Sequence, residues 1–115
     1  MPRSPRNLRP ERAPAVVVQT VARLGANIAT ARKNRQWRQL DLAQKTGVDR
    51  RVIMRIEEGH LGVGIGAYVA ALWAMGLHQD VSYLASPQRD QEGQTLAAAR
   101  RGDRVRPATE LDDEF

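Results

Sequence analysis

Three arginines, Arg50, Arg51 and Arg55, lie within six positions of the segment QLDLAQKTGVDRRVIMRIEEG, residues 39–59. A guanidinium group is planar and always charged, and its fork of N–H donors fits phosphate oxygens and the acceptor edge of guanine. Arg51 and Arg55 are four positions apart, so a helix would place both on one exposed face. The chemistry that these side chains offer is therefore the binding of a polyanion.

The residues around the arginines have the spacing of two helices joined by a tight turn. Such helices cross closely only where the first presents a small residue, and the turn usually needs a left-handed residue. Counting from Gln39, the small residue is Ala43 at the fifth position and the glycine is Gly47 at the ninth. In a helix-turn-helix the second helix lies in the major groove of DNA, with its N-terminal residues, here Arg50 and Arg51, at the base edges. The apolar contacts of this pattern fall at the fourth, tenth, fifteenth and eighteenth positions, which are Leu42, Val48, Ile53 and Ile56.

Apolar residues at helical spacing predict an all-α fold of five helices, since no segment alternates with the period of a β-strand. Asp49 is positioned to cap the third helix, and Gly59 to end it. The fourth helix is apolar nearly all round, which is typical of a central core helix, so we expect Trp73 to fill the core beside Leu72. The helices are predicted at about residues 17–31, 39–46, 50–58, 65–76 and 79–85.

Charge and proline content divide the chain into three parts. Residues 1–14 contain four prolines and four arginines, and they are predicted to form a disordered basic arm. This flexible arm is either a solubilising tail or a segment that touches DNA phosphates or enters a minor groove. Residues 15–85 form the helical domain. Residues 86–115 are a flexible and partly disordered C-terminal tail, in which a basic block precedes the acidic sequence ELDDEF.

Composition excludes several classes of protein. The chain has 115 residues, enough for one domain, and a net charge of +5, with arginine supplying 16 of its 18 basic side chains. This bias favours nucleic acid as a partner or reflects genomic base composition. The absence of cysteine excludes disulfides and thiolate metal sites, and no apolar run approaches the length of a membrane span. We expect a cytoplasmic protein that does not bind membranes.

The sequence contains no recognisable set of catalytic or metal-binding residues. His60 and His78 are the only histidines, and neither lies near carboxylates at the spacing of metal ligands. His60 follows the glycine that ends the third helix, where it contacts phosphate or solvent. With no nucleophile, metal set or phosphate-binding loop, the sequence predicts a protein that is not an enzyme and needs no cofactor.

The segment LGANIATARKNRQWRQLDLAQKTGVDRRVIMRIEEG resembles the Xre-type domain of the Cro and lambda-repressor family, a five-helix DNA-binding fold, and the resemblance covers residues 21–85. It implies a dimeric repressor that binds a pseudo-palindromic operator in double-stranded DNA and is nucleoid-associated when bound. By the same resemblance, Arg32 and Glu57 form a salt bridge between the first and third helices, and Gln39 contacts phosphate and braces the interface. The base-reading positions are Arg50, Arg51 and Arg55, with Val52 facing a thymine methyl or a sugar.

Three positions depart from the family pattern. Arg38 stands where the family has a serine or threonine cap, so the cap is lost but a charge is added beside the phosphate site. Gln36 stands where glycine is common, which gives the turn between the first two helices a different expected shape. Gly64 replaces the usual serine or threonine before the fourth helix. None of the three belongs to the base-reading set.

The segment LGVGIGAYVAALWAMGLHQDVSYLASPQRDQEGQTLAAARR is similar to regulators of the HipB type, which are encoded beside HipA-like kinase toxins. This resemblance implies an autoregulating antitoxin whose partner is such a toxin. Phe115, an aromatic residue at the end of an acidic run, is then either an anchor in a pocket of that partner or part of a solvated tail whose acids moderate non-specific DNA binding. The alternatives are a stand-alone Xre-type regulator and a protein-interaction module that kept the fold without DNA binding. For the dimer surface, Tyr83 and Leu84 of the fifth helix are the candidates.

Overall fold

The computed structural model describes residues 9–104, and within this range every regular element is helical. This confirms the all-α class. None of the helices in the described range is long and apolar enough to cross a bilayer. The predictions for the first eight residues of the basic arm, and for the acidic end with Phe115, lie outside the described residues. The α-helices are α1 Ala15–Asn34, α2 Gln39–Thr46, α3 Arg50–Glu57, α4 Ile65–Ala74 and α5 Gln91–Arg104, and the 3-10 helices are Pro10–Arg12, His78–Tyr83 and Pro87–Arg89.

The chain divides into two compact units between Val81 and Ser82. The first contains α1 to α4, and the second contains α5 and the 3-10 helix before it. The division falls four residues before the domain end predicted after Ala85. The segment predicted as a fifth α-helix, residues 79–85, is a 3-10 helix over His78–Tyr83 instead.

The core of the first unit is formed by one apolar face from each of its four helices. On α3, Ile53 and Ile56 are three positions apart and both are fully buried. The three-residue step places their side chains on one face, because successive residues of a helix turn by about 100°. The burial of that face fixes which side of α3 meets solvent. The other buried apolar residues are Ile28, Leu42, Ala43, Tyr68, Ala71, Leu72 and Met75.

Trp73 does not fill the core, and the prediction that it does is wrong. Its side chain is 57% exposed. The buried face of α4 is set by Tyr68, Leu72 and Met75, at helical steps of four and three, and Trp73 falls on another side of the helix. Tyr68 is buried on that face, and its hydroxyl donates a 2.9 Å hydrogen bond to the carbonyl of His60. Burial raises the pKa of the Tyr68 phenol.

The turns of the first unit use left-handed residues. Gly47 between α2 and α3 has φ +75°, and Gly59 after α3 has φ +73°, where the sequence predicts them. Gln36, between α1 and α2, adopts φ +59°, so it takes the conformation that a glycine would adopt without strain. A non-glycine residue in that region costs roughly 1–2 kcal/mol. The turn therefore keeps a left-handed residue despite the substitution.

In the second unit, α5 spans Gln91–Arg104, within the segment that the sequence predicts to be a flexible and partly disordered tail. Asp90 precedes the helix, and its Oδ1 accepts the backbone N–H of Gly93 at 2.9 Å. This hydrogen bond satisfies one of the donors left unpaired at a helix start. The guanidinium of Arg89 lies 4.8 Å from the centre of the Tyr83 ring. A capped start and an alanine-rich sequence account for a helix of 14 residues.

Candidate nucleic-acid interface

Helix α3 presents the three arginines to solvent. Arg50, Arg51 and Arg55 are exposed, while Ile53 and Ile56 hold the opposite face in the core. No hydrogen bond or ion pair to another described residue restrains the three guanidinium groups. Their forks are therefore available for phosphate oxygens or for base edges. Val52, the neighbouring residue of the predicted site, is half-buried and packs against the core.

The start of α3 is fixed by a side-chain cap. Asp49 Oδ1 accepts the backbone N–H of Arg51 at 2.7 Å, as the sequence predicts. In the same turn, the N–H of Val48 donates to the Thr46 hydroxyl at 3.1 Å. These bonds hold the first turn of α3, so that Arg50 and Arg51 project from a defined backbone. The N-terminal end of a helix also carries partial positive charge, which adds to that of the guanidinium groups.

A buried ion pair ties α1 to α3. Arg32 Nε donates to Glu57 Oε2 at 2.6 Å, and the terminal nitrogen Nη2 donates to Oε1 at 3.0 Å, so the pairing is bidentate. Both side chains are more than 90% buried. The remaining nitrogen of the guanidinium, Nη1, donates to the Trp37 carbonyl at 2.7 Å. One arginine thus links the end of α1, the turn that follows it and the last residue of α3.

Gln39, at the first position of α2, extends this network. Its Nε2 donates to Glu57 Oε1 at 3.0 Å, which joins the start of α2 to the end of α3. The network formed by Arg32, Gln39, Glu57 and the Trp37 carbonyl is called here the carboxylate network. A side-chain amide has two N–H donors. Contact of the second donor with phosphate stays a prediction.

Arg38 precedes α2 and is held by Asp41. Asp41 Oδ2 accepts the backbone N–H of Arg38 at 2.7 Å, and Oδ1 accepts a guanidinium N–H at 2.9 Å. Arginine has no acceptor atom, so it cannot cap the helix through its own side chain. The carboxylate supplies the reciprocal half of a capping box, which offsets the loss expected from a missing serine or threonine. Arg38 remains mostly exposed beside the start of α2.

We expect the Asp41 carboxyl to titrate with a midpoint of about 2. The hydrogen bonds from the Arg38 side chain and backbone lower its pKa from the ordinary 3.8 to about 2. Because the folded pKa is depressed, the stabilisation from this pair is present above about pH 4 and is lost as pH falls through 2. Carboxyl chemical shifts from a carbon-detected NMR titration measure the midpoint directly.

The matched variants separate the causes of this shift. Arg38→Gln removes the guanidinium but keeps the backbone N–H, so the pKa of Asp41 should return part of the way toward 3.8. Lys45→Gln removes a smaller electrostatic contribution and should move the midpoint less. An Asp41 midpoint unchanged by Arg38→Gln would show that the pair does not form in solution.

His60 lies at the beginning of the loop that joins α3 to α4. Its ring nitrogen Nδ1 accepts the backbone N–H of Gly62 at 3.1 Å. The backbone N–H of His60 donates to the Arg55 carbonyl at 2.9 Å. Together with the hydrogen bond from Tyr68, these contacts make His60 a structural residue of the loop. The ring is exposed and its Nε2 is the atom left for another contact. Binding of phosphate by His60 stays a prediction.

Gly25 helps to position α3, and it is not among the residues that the sequence predicts for the site. A Cβ atom on this buried α1 residue would overlap the Ile56 carbonyl oxygen and lie 2.8 Å from the Gly59 nitrogen. The backbones of α1 and of the end of α3 therefore approach each other closely at this point. The available signal was a glycine between apolar residues of a helical stripe, since an isolated glycine within a helix often has a packing reason.

Within residues 9–104, no three histidine, aspartate or glutamate side chains come together as a metal site requires. The chain matches no protein-family model and no curated protein. The geometry of α2 and α3 is therefore the feature that indicates a function. That geometry offers three unpaired guanidinium groups on one helix, with Gln39 and Arg38 at the start of the helix before it.

Proposed function

We propose that the protein is a sequence-specific DNA-binding transcriptional repressor whose helix α3 contacts bases in the major groove. One observation carries the proposal. The fully buried face of Ile53 and Ile56 orients α3 so that Arg50, Arg51 and Arg55 project into solvent without partners in the described structure. A protein-interaction module that had lost DNA binding would not need three unpaired charges on one short helix.

The proposed mode of binding uses both helices of the α2–α3 unit. The start of α3 points Arg50 and Arg51 at base edges, where an arginine can donate to both O6 and N7 of guanine. Arg55, one turn later, contacts a base or a phosphate. Gln39 and Arg38, at the start of α2, contact the phosphate backbone and fix the position of the unit on the duplex. This assignment follows the Xre-type pattern that the sequence resembles.

The proposal includes a two-fold homodimer on a pseudo-palindromic operator. A single helix-turn-helix unit contacts only a few base pairs, and useful affinity and specificity come from two half-sites about one helical turn apart. A repressor of this kind acts in the cytoplasm and is associated with the nucleoid when bound. The net charge of +5 agrees with a polyanionic partner.

The second candidate function is that of an antitoxin with the same DNA-binding unit. It is favoured by α5, a capped helix in the second unit that exposes Leu96, Arg100 and Arg101 and leaves a surface for a protein partner. A HipA-like kinase toxin is the partner that the sequence resemblance suggests. A kinase-toxin gene overlapping the gene for this protein would favour the antitoxin, and its absence would favour a stand-alone regulator.

The arginines of α3 are tested by DNA selection followed by substitution. The full-length protein is used to select binding sites from a random duplex library, and affinities are measured by fluorescence anisotropy on the selected duplex and on a scrambled one. Arg50→Ala or Arg51→Ala should cost about 1–3 kcal/mol on the selected duplex, if the side chain makes a bidentate guanine contact, and little on the scrambled duplex.

The controls distinguish base contacts from general attraction. Arg23→Ala removes an exposed arginine from α1, and we expect no change in the ratio of the two affinities. Equal losses on both duplexes for an α3 variant would assign that arginine to the phosphate backbone. If selection enriches no sequence, the proposal of sequence-specific binding is wrong.

A further inference from the structure

Helix α4 has a second apolar face that the core does not use. No residue of Ile65–Ala74 is charged, and two of its large apolar side chains are exposed. Ile65 is 70% exposed, Trp73 is 57% exposed, and Leu77, just beyond the helix, is 41% exposed. Val69, between Ile65 and Trp73 at four-residue steps, is half-buried. These four residues are called here the α4 stripe, and a helix that is apolar on all sides is normally covered on all sides.

We propose that the α4 stripe binds the α4 stripe of a second copy of this chain, with the two helices antiparallel about a two-fold axis. In such an isologous contact each residue meets its complement on the other copy. An axis between Val69 and Ala70 brings Trp73 of one copy to Gly66 of the other. Nothing lies within 4 Å of the position that a Cβ on Gly66 would occupy. In this pairing Trp73, the largest side chain of the stripe, lies against Gly66 of the other copy, where the surface has room for it.

Charge favours a second copy over a protein of different chemistry. Each copy has a net charge of +5, so most faces of two copies repel each other. The uncharged helix α4 brings no like charges together at its centre. A charged partner, in turn, would leave its own ions desolvated against this face without a counter-charge. The stripe is thus suited to an identical uncharged surface.

The size of the stripe sets the strength of the contact. The stripe consists of four apolar side chains per copy, one of them half-buried, which is a smaller contact than the about 1,200 Å² or more that stable interfaces bury. The free chain is therefore in a monomer–dimer equilibrium that depends on concentration. If the protein binds a two-fold DNA site, as proposed above, that site shifts the equilibrium to the dimer; this step alone rests on the proposed function.

Sedimentation equilibrium of the full chain in the absence of DNA tests the contact. The wild type should show a concentration-dependent rise toward twice the monomer mass in the range from micromolar to millimolar. Trp73→Glu and Ile65→Glu place a charge in the contact and should each weaken self-association at least tenfold. Leu96→Glu introduces the same charge at an equally exposed apolar residue of α5 and should leave self-association unchanged. Thermal melts establish that all three variants are folded.

A wild type that remains monomeric to millimolar concentration would overturn the proposal. So would folded Trp73→Glu and Ile65→Glu variants that associate as strongly as the wild type, or a Leu96→Glu variant that weakens association as much as they do. None of these measurements uses DNA, so a failure of the contact is distinguishable from a failure of the proposed DNA binding. The tryptophan emission maximum of the protein, to which Trp37 and Trp73 contribute, gives a second readout, since burial of Trp73 in the dimer should shift the spectrum to shorter wavelength as concentration rises.

Discussion

Replacing Glu57 by alanine is expected to lower the free energy of unfolding by about 3–5 kcal/mol. The carboxylate accepts three hydrogen bonds, two from Arg32 and one from Gln39, and it is the only acid paired with the buried guanidinium in the described structure. Its removal leaves the charge of Arg32 buried with only the Trp37 carbonyl as a partner. The net stability of a small domain is about 5–15 kcal/mol, so a loss of this size takes much of it.

Three variants show whether the cost comes from the orphaned charge. Glu58→Ala removes the adjacent acid, which is exposed, and should change stability by less than about 0.5 kcal/mol. The double variant Arg32→Met with Glu57→Leu removes both charges and should recover a large part of the loss, because apolar residues of similar volume often replace a buried pair at little cost. Urea unfolding followed by circular dichroism measures all three. A Glu57→Ala variant as stable as Glu58→Ala would rule out the carboxylate network in solution.

Replacing Gly25 by alanine is expected to cost about 3 kcal/mol, at the upper end of overpacking effects. The three atoms nearest to a Cβ at this position are backbone atoms, namely the Ile56 and Glu57 carbonyl oxygens and the Gly59 nitrogen. No flexible side chain can move aside, so α1 and the end of α3 must separate. Separation would also lengthen the hydrogen bonds between Arg32 and Glu57, which lie between the same two helices.

Gly66→Ala is the matched control for this substitution. Gly66 also lies within a helix, but a Cβ there meets nothing within 4 Å. An alanine should stabilise the protein slightly, by about 0.5 kcal/mol, because it restricts the unfolded chain. Thermal or urea unfolding at low micromolar concentration should therefore give opposite signs for the two variants. Equal and small effects would mean that α1 and α3 do not approach closely at Gly25.

The parts of the fold that the sequence predicts are those with local chemical markers. Gly47 and Asp49 mark the turn and the cap, so α2 and the start of α3 have their predicted positions. The Arg32–Glu57 pair, which is 25 residues apart in the chain, followed from the family resemblance. No local pattern of charge or hydrophobicity connects two residues at that separation. The DNA contacts assigned to the arginines and to His60 remain predictions.

The structure differs from the sequence prediction at Trp73 and at α5, and the two differences have a common physical origin. The sequence predicts Trp73 in the core because α4 contains no charged residue that marks its outward side, and periodicity cannot choose between two apolar faces. The sequence predicts a flexible tail where α5 forms, because Asp90, whose carboxylate accepts the Gly93 N–H at the start of the helix, lies in a segment otherwise typical of turns. In both cases the deciding information was three-dimensional: which face a neighbour covers, and which oxygen reaches a free N–H.

The carboxylate network also has a consequence for motion on slow timescales. A helix of eight residues, such as α3, does not persist in water when it is detached from its neighbours. Glu57, at its last position, is bonded to Arg32 of α1 and to Gln39 of α2. The helix therefore cannot open alone, and its amide protons exchange with solvent in the same event that opens the end of α1 and the start of α2. In native-state hydrogen exchange we expect the three segments to open as one cooperative unit, and the arginines of α3 belong to that unit.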